Sequence, residues 1–259
     1  MFYFDSHCHL NDEAILPFIE EEILSCRQAG LKAMLVIGYD VKSSRLAVEL
    51  AHRYEEVYAA VGVHPENLEG LTLDCLKEIK ALAKEDKVVA IGEIGLDYHW
   101  YKDPEVREAQ KPWFVAQIEL ANELNLPVSI HARDCTEDVY KILKEHPVHA
   151  GAVLHCYSGS VESLREFAKL GLYFGFDGPI TFKNAVTPKE CVKACPIDRL
   201  LVETDSPYLA PVPFRGKQNS PKYIPFIVEE MAKLREMEPE TLNEQLWRNF
   251  TKLFRVKHG

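Results

Sequence analysis

Short apolar runs alternate with longer stretches of helical periodicity along nearly the whole chain. The apolar runs are almost uninterrupted, which is typical of strands buried on both faces of a parallel sheet. We predict such strands over residues 1–4, 33–37, 57–61, 88–91, 127–130, 152–154, 172–176 and 200–202. The intervening stretches predict helices over residues 16–29, 43–53, 73–85, 105–124, 136–145, 161–170, 188–195, 221–236 and 239–254.

This alternation favours an α/β fold, and the economical architecture is a (β/α)8 or TIM barrel with an extra C-terminal helix. Barrels of this type commonly use about 250 residues as one domain. The chain has 259 residues, so we expect a single domain over residues 1–259. A doubly wound open sheet is the alternative. The barrel is favoured because polar residues recur at many strand ends, and a closed barrel would bring them to one mouth.

Composition and charge argue against several classes of function. No apolar run approaches the ~20 residues needed to span a bilayer, so we expect no membrane association. The N-terminus lacks the segments of a signal peptide, and seven cysteines form no compact framework, which indicates a reduced, cytoplasmic protein. The net charge of −10 argues against stable binding of duplex nucleic acid. We expect a monomer.

Ionisable side chains are concentrated at the carboxyl ends of the predicted strands. Eight of them lie there: His7, His9, His64, Glu93, His99, His131, His155 and Asp205. The other histidines, His52, His146, His149 and His258, fall on helices, in a loop or at the terminus. In a barrel, the strand-end positions converge on the face where active sites of this fold are found.

The first strand ends in Asp5-Ser6-His7-Cys8-His9. Residues two apart on extended backbone point to the same side, so the imidazoles of His7 and His9 would leave the strand together, with Cys8 pointing away. Two such histidines make a good pair of divalent-metal ligands. Asp5 could orient one of them as a hydrogen-bond partner.

The full set of residue types fits a centre of two divalent cations, drawn from Mg, Mn, Zn, Co and Ni. Glu93, from a middle strand, would bridge the two cations. Two cations can activate a water molecule and stabilise an in-line displacement at phosphorus. The remaining predicted ligands are His7, His9 and Asp205 for one cation, and His131 and His155 for the other.

Other residues near the strand ends have two interpretations each. His64, before Pro65, either shapes a turn or acts on substrate, and His99 and Asp97 are either functional or loop and capping residues. Cys156 is interpreted as core rather than ligand. The basic candidates are either solvated charges or phosphate contacts: Arg133, Arg215 and Lys217.

With these residues assembled, the chain resembles the TatD family of metal-dependent hydrolases over essentially its whole length. Together the matching segments are highly specific. They are Asp-Ser-His-Cys-His-Leu at 5–10, Gly-Val-His-Pro at 62–65, Ile-Gly-Glu-Ile-Gly-Leu-Asp-Tyr at 91–98, Ile-His-Ala-Arg-Asp at 130–134, Leu-His-Cys-Tyr-Ser-Gly at 154–159, Leu-Val-Glu-Thr-Asp-Ser-Pro-Tyr-Leu at 201–209 and Pro-Phe-Arg-Gly-Lys-Gln-Asn at 213–219.

The resemblance implies a TIM-barrel hydrolase with two divalent cations and deoxyribonuclease activity, often the trimming of 3′ ends of single-stranded DNA. It implies the same ligand set that the residue types and their strand-end positions predicted. It also implies that His64 lies near the scissile phosphate. The departures from the family pattern are Asn11, where Asp is common, and Ala132 and Tyr157, where Ser and Phe are commoner. None of them removes a predicted ligand.

We therefore predict a deoxyribonuclease that cleaves phosphodiester bonds of DNA ends or small phosphodiesters through metal-activated water. Asp205, Glu93 and His64 would be catalytic, and His64, Arg133 and Arg215 would contact substrate. The rival enzyme is an amidohydrolase-like hydrolase of C–N or aminoacyl-ester bonds, although such centres often use a carbamylated lysine where this chain has Glu93. A non-catalytic metal-binding protein is the third alternative.

Overall fold

The computed structural model describes residues 1–256, so His258 lies outside the described residues. Eight parallel strands form one sheet in sequence order, β1 to β8, and each strand pairs with the next. Their bounds are β1 Tyr3–Cys8, β2 Leu31–Ile37, β3 Val57–Val61, β4 Val88–Asp97, β5 Val128–Arg133, β6 Ala152–Leu154, β7 Tyr173–Phe176 and β8 Leu200–Val202. This order is that of the predicted TIM barrel and excludes the doubly wound alternative, in which the strand order reverses.

Helices follow the strands in alternation, as the periodicity predicts. Their bounds are α1 Ile19–Gln28, α2 Val41–Arg53, α3 Leu76–Leu82, α4 Pro104–Leu124, α5 Thr136–Glu145, α6 Val161–Lys169, α7 Val186–Ala194, α8 Ile224–Arg235 and α9 Pro239–Phe254. The predicted extra C-terminal helix is α9. Its Phe250 ring stacks on Phe4 of β1 with centroids 4.4 Å apart, so the helix covers the start of the first strand. Within residues 1–256, no helix has the length and apolarity needed to cross a membrane.

The seam between β1 and the chain after β8 is bridged by backbone hydrogen bonds. The Asp205 N–H donates to the His7 carbonyl at 2.9 Å, and the His9 N–H donates to the Ser206 carbonyl at 2.8 Å. The barrel is therefore nearly closed, and two of the bonds at its seam hold the backbone of three predicted metal ligands.

Three strands extend beyond their predicted ends, and one of them is the fifth, which was predicted to stop at 130 but continues to Arg133. The first was predicted over residues 1–4 but spans Tyr3–Cys8, and the fourth was predicted to stop at 91 but continues to Asp97. These extensions contain polar and glycine residues, which interrupt the apolar run from which the strands were predicted. Such residues occur there because side chains at the barrel mouth serve the site rather than the core. Gly95 is required in the fourth strand: its φ is +147°, and a Cβ atom there would collide with the His131 carbonyl oxygen.

Candidate metal centre

The carboxylate of Glu93 lies at the centre of the barrel mouth, with each oxygen facing a different pair of imidazoles. Its Oε1 atom is 3.0 Å from His131 Nδ1 and 2.7 Å from His155 Nε2. Its Oε2 atom is 3.5 Å from His7 Nε2 and 3.8 Å from His9 Nε2. The residue is 5% exposed. One carboxylate therefore lies between two groups of nitrogen atoms, which is the position that the predicted bridging of two cations requires.

The first group, here called the β1 cluster, consists of His7, His9 and Asp205. His7 Nε2 and His9 Nε2 are 3.3 Å apart. Asp205 Oδ1 lies 3.6 Å from His7 Nε2 and 3.4 Å from His9 Nε2. Asp205 reaches this position from a left-handed backbone conformation, with a φ of 53°. Aspartate adopts this conformation more readily than most other non-glycine residues.

The second group, here called the β5–β6 cluster, consists of His131 and His155. His131 Nδ1 and His155 Nε2 are 3.3 Å apart, and both lie close to Glu93 Oε1. The His155 ring also stacks on the His7 ring, with centroids 3.8 Å apart and planes 7° from parallel. The two clusters are thus packed against each other through these rings and share Glu93.

The spacing of the ligand atoms fits small divalent cations. Ligands about 2.0–2.1 Å from a tetrahedral cation lie roughly 3.3–3.4 Å from one another. In the β1 cluster the three mutual distances are 3.3, 3.4 and 3.6 Å. In the β5–β6 cluster the distances from Glu93 Oε1 and between the nitrogens are 2.7 to 3.3 Å. The β1 cluster therefore suits cations of the size of zinc, manganese or magnesium as it stands, whereas the ligands of the β5–β6 cluster would have to move apart by up to about 0.6 Å to hold one.

In the β1 cluster, neutral groups fix the outer ring nitrogens. His9 Nδ1 lies 3.2 Å from the Ile37 carbonyl, so it donates there and leaves Nε2 free for a cation. His7 Nδ1 lies 3.3 Å from the Ser129 hydroxyl. Both ring orientations therefore present Nε2 to the centre.

In the β5–β6 cluster, carboxylates stand behind the imidazoles. Asp97, fully buried, accepts from His131 Nε2 at 2.9 Å. Glu203, also fully buried, places Oε1 3.6 Å from His155 Nδ1, and it accepts hydrogen bonds from the Cys156 N–H and the Ser6 hydroxyl. From the sequence, Asp97 could be either functional or a capping residue, and Glu203 was not a candidate. Their partnership with the histidines was therefore missed.

Asp5 does not orient an imidazole, contrary to the sequence-based expectation. Its carboxylate accepts the backbone N–H of His7 at 3.1 Å and of Thr204 at 3.0 Å, and it also accepts the Thr204 hydroxyl. Asp5 is within the strand and is fully buried, so its side chain reaches backbone rather than the open mouth. It joins β1 to the residues that follow β8 and positions the ligands through their main chain. Cys8 points away from the site as predicted, with its thiol 3.5 Å from the Leu35 carbonyl.

The electrostatics keep negative charge at Glu93. Burial alone would raise the pKa of its carboxyl, but the charge of His155 and hydrogen bonds from His131 and His155 hold that pKa well below its usual range. Burial would likewise lower the pKa of His155, yet Glu93 and Glu203 raise it well above normal. A cation bound here would replace protons on the imidazoles, so metal binding and proton release are coupled.

His64 lies beside the same carboxylate but differs from the ligand histidines in its tautomer. Its Nδ1 atom accepts the Glu66 N–H at 3.1 Å. Burial, more than any other cause, lowers the pKa of His64, so the ring is neutral and its single proton is on Nε2. That N–H points to Glu93 Oε1 at 3.4 Å. A nitrogen that carries a proton cannot bind a cation, so His64 is arranged as a hydrogen-bond donor at the centre.

The basic candidates lie at the rim, and the structure does not bring them into the ligand clusters. Arg133 is exposed two residues after His131, with its guanidinium 5.4 Å from the centroid of the Trp100 ring. Arg215 lies over the Phe182 ring at 4.2 Å. Lys217 is exposed in the same loop as Arg215. His99 pairs with Asp134 at 3.0 Å and packs edge-on against Trp100. Their contacts with substrate stay predictions.

Comparison with known proteins agrees with this geometry. Residues 4–255 match the family model described as TatD related DNase. The chain is 46% identical to the uncharacterized metal-dependent hydrolase YabD of Bacillus subtilis, over 98% of this chain and 99% of that protein. It is 37% identical to the uncharacterized metal-dependent hydrolase YcfH of Escherichia coli, over 99% of this chain and 97% of that protein. The crystal structure of YJJV, a TatD homologue from Escherichia coli, superposes with a TM-score of 0.93 at 30% identity, over 98% of each chain.

Proposed function

The chain belongs to the family of TatD-related DNases and is a metal-dependent hydrolase, and we propose that it is a deoxyribonuclease that removes nucleotides from 3′ ends of single-stranded DNA. The observation that carries this proposal is the Glu93 carboxylate, whose two oxygens face two separate histidine groups. A carboxylate shared in this way suits a pair of cations, and such pairs act on both the attacking and the leaving oxygen of a phosphodiester.

His7, His9 and Asp205 would hold one cation, His131 and His155 would hold the other, and Glu93 would contact both. When bound, the cations would supply Lewis-acid polarisation of the phosphate and make a water molecule more acidic. Burial favours a high pKa for the Asp205 carboxyl, but the hydrogen bond from His9 and the charge of His9 outweigh burial and lower that pKa. Asp205 is therefore ionised at neutral pH and can accept the proton of the attacking water.

His64 serves as the neutral donor in this proposal. Its Nε2–H points into the centre, where a non-bridging phosphate oxygen would gain negative charge as the water attacks in line. A fixed donor at that point stabilises the transition state more than the ground state. The preference of His64 for the Nε2 tautomer, set by the Glu66 N–H, provides this donor without a proton transfer.

The rim provides contacts that suit a nucleotide. Trp100 is 64% exposed, and its ring lies perpendicular to the His99 ring, with the guanidinium of Arg133 5.4 Å from its centroid. An exposed aromatic side chain can stack on any nucleobase, and a neighbouring arginine can bind phosphate. We propose Arg133 and Arg215 as phosphate contacts. The charge of −10 supports single-stranded ends rather than duplex as the substrate.

The test is metal-dependent shortening of end-labelled single-stranded DNA. Wild type with Mg²⁺ or Mn²⁺ should release nucleotides stepwise from the 3′ end, and EDTA or Glu93→Gln should abolish release. Glu56→Gln is the matched control, because Glu56 is another buried glutamate but pairs with Arg27 away from the mouth. Intact DNA after incubation with metal-loaded wild type would overturn the proposal, and hydrolysis of aminoacyl esters or amides by the same protein would favour the rival enzyme.

A further inference from the structure

A third group of possible ligands lies at the mouth beside the β1 cluster. It consists of Cys156, Asp177 and Asp205, which follow β6, β7 and β8 respectively. One donor atom from each lies within 4.8 Å of the other two. Asp205 is shared with the β1 cluster, whereas Cys156 and Asp177 have no part in the proposed hydrolysis. The function of these two residues is therefore open.

Asp177 is a buried carboxylate with an unused oxygen. The residue is 4% exposed, and its Oδ2 atom has no hydrogen-bond partner among the described residues. Asp177 directly precedes the 3-10 turn Gly178–Thr181, where an aspartate commonly caps the turn, yet its side chain makes no capping bond. The Asp177 carboxyl contacts the Cys156 thiol, but a buried carboxylate oxygen without a partner is costly, so Oδ2 is available to a group that is not part of the polypeptide.

Cys156 differs from cysteines that serve the core. Cys8, Cys135 and Cys191 each place the thiol near a backbone carbonyl, at 3.2 to 3.5 Å. Cys156 instead directs its thiol to the group that contains Asp177, while its own N–H bonds Glu203. It is only partly buried and lies at the mouth. The sequence analysis interpreted Cys156 as core rather than ligand, whereas its position at the end of a strand places its thiol beside two carboxylates.

We propose that Cys156, Asp177 and Asp205 form a third cation site, suited to Zn²⁺ or a similar borderline cation. A thiolate with two carboxylates favours zinc over magnesium, which avoids sulfur. Binding would release the thiol proton to water as the sulfur–metal bond forms. Three protein ligands leave a fourth position for water or a phosphate oxygen.

Asp205 can serve both neighbouring sites. Its Oδ1 atom faces His9 at 3.4 Å and His7 at 3.6 Å, and a carboxylate offers a second oxygen to another cation. Asp205 would then join the third site to the first in the way that Glu93 joins the first to the second. The proposal concerns metal binding alone and does not depend on which bond the enzyme hydrolyses.

Cobalt titration of the full-length protein, after removal of metal by a chelator, provides the test. The first two sites offer only nitrogen and oxygen, so a near-ultraviolet thiolate-to-cobalt charge-transfer band arises only if a cysteine binds the metal. We expect this band in wild type and its loss in Cys156→Ser. Asp177→Asn should weaken cobalt binding at the thiolate site by at least about tenfold, since it removes a charged ligand. Zinc binding by equilibrium dialysis should fall by one equivalent in Cys156→Ser.

Cys75→Ser is the matched control, because Cys75 is also partly buried but lies on the helical segment before α3. It should leave the band and the zinc stoichiometry unchanged. Circular dichroism would verify that each variant is folded. The proposal would be overturned if wild type that binds zinc showed no charge-transfer band with cobalt, or if the band persisted in Cys156→Ser. Neither result would alter the test of nuclease activity, which is read from DNA products.

Discussion

The two halves of the metal centre differ in what holds their histidines. In the β1 cluster, the outer nitrogens of His7 and His9 face a hydroxyl and a backbone carbonyl. In the β5–β6 cluster, His131 bonds the buried carboxylate of Asp97, and His155 lies near that of Glu203. Compared with a neutral hydrogen-bond partner, a carboxylate partner makes an imidazole a stronger electron-pair donor to a cation and fixes the imidazole tautomer more firmly.

The difference shows how the site divides its negative charge. The β1 cluster contains its carboxylate, Asp205, among the ligands, whereas the β5–β6 cluster has its extra carboxylates behind the ligands. The pKa values agree with this: burial, and then the charge of His155, lower the pKa of His7, whereas hydrogen bonds with Asp97 and Glu93 raise the pKa of His131 despite its burial. The two cation positions should therefore respond differently to loss of their outer partners.

Loss of the shared ligand should have the largest effect. Glu93→Gln removes the charge that both halves use, and several kcal/mol of transition-state stabilisation depend on the cations. We expect a fall in kcat/KM of at least about 10³-fold, since each 1.36 kcal/mol is worth about tenfold. Metal analysis should show that the variant has lost cation from both positions. Full occupancy of both positions in a folded Glu93→Gln protein would contradict the bridging role.

Replacement of His64 should reduce turnover without reducing metal content. His64→Phe keeps a ring in the site but removes the Nε2–H donor, and loss of one such donor costs about 10²- to 10³-fold in kcat. Steady-state kinetics and metal analysis on the same preparation would check this. Loss of a cation from this variant would instead make His64 a ligand of the β5–β6 cluster.

Asp97→Asn should weaken one cation position selectively. Loss of an outer partner of a ligand histidine typically costs about 10- to 100-fold in metal affinity. Competitive titration with a metal indicator should therefore show one weakened and one unchanged binding step. Asp138→Asn is the control, because Asp138 is a carboxylate of the same region that bonds Tyr98 rather than a ligand histidine. Equal weakening of both steps would remove the distinction between the two halves.

Ser129→Ala should have the smallest effect of the series. The Ser129 hydroxyl contacts His7 at 3.3 Å, and a neutral hydrogen bond contributes about 1 kcal/mol. That corresponds to roughly fivefold in affinity at the β1 cluster, less than the loss expected from Asp97→Asn. The same indicator titration measures both. A larger loss from Ser129→Ala than from Asp97→Asn would reverse the assignment of the stronger outer partner.

The sequence was sufficient for the barrel and for the residues that meet at its mouth. Continuous apolar strands predicted the parallel sheet, and the strand-end position of His7, Glu93, His131 and Asp205 predicted that they would converge. The partners behind the histidines were harder to predict. Asp97 reaches His131 only because β4 continues six residues beyond its predicted end and pairs with β5 up to Asp97 opposite Arg133. Sequence pattern does not specify such register.

Asp5 and Cys156 show that sequence pattern also does not specify the direction in which a side chain faces. Both stand within two residues of a predicted ligand, and their types suggested an orienting carboxylate and a core thiol. Asp5 instead accepts main-chain N–H groups across the seam, and Cys156 faces Asp177. Which way a side chain faces at a strand end depends on the twist and closure of the barrel, which only the folded structure provides.

Electron paramagnetic resonance of the Mn²⁺-loaded protein tests the central claim most directly, because it reports whether two cations share a ligand. We predict an exchange-coupled signal in wild type at two equivalents of Mn²⁺, and loss of that coupling in Glu93→Gln. A spectrum of isolated Mn²⁺ ions in wild type at full occupancy would contradict a centre in which Glu93 joins the two histidine clusters.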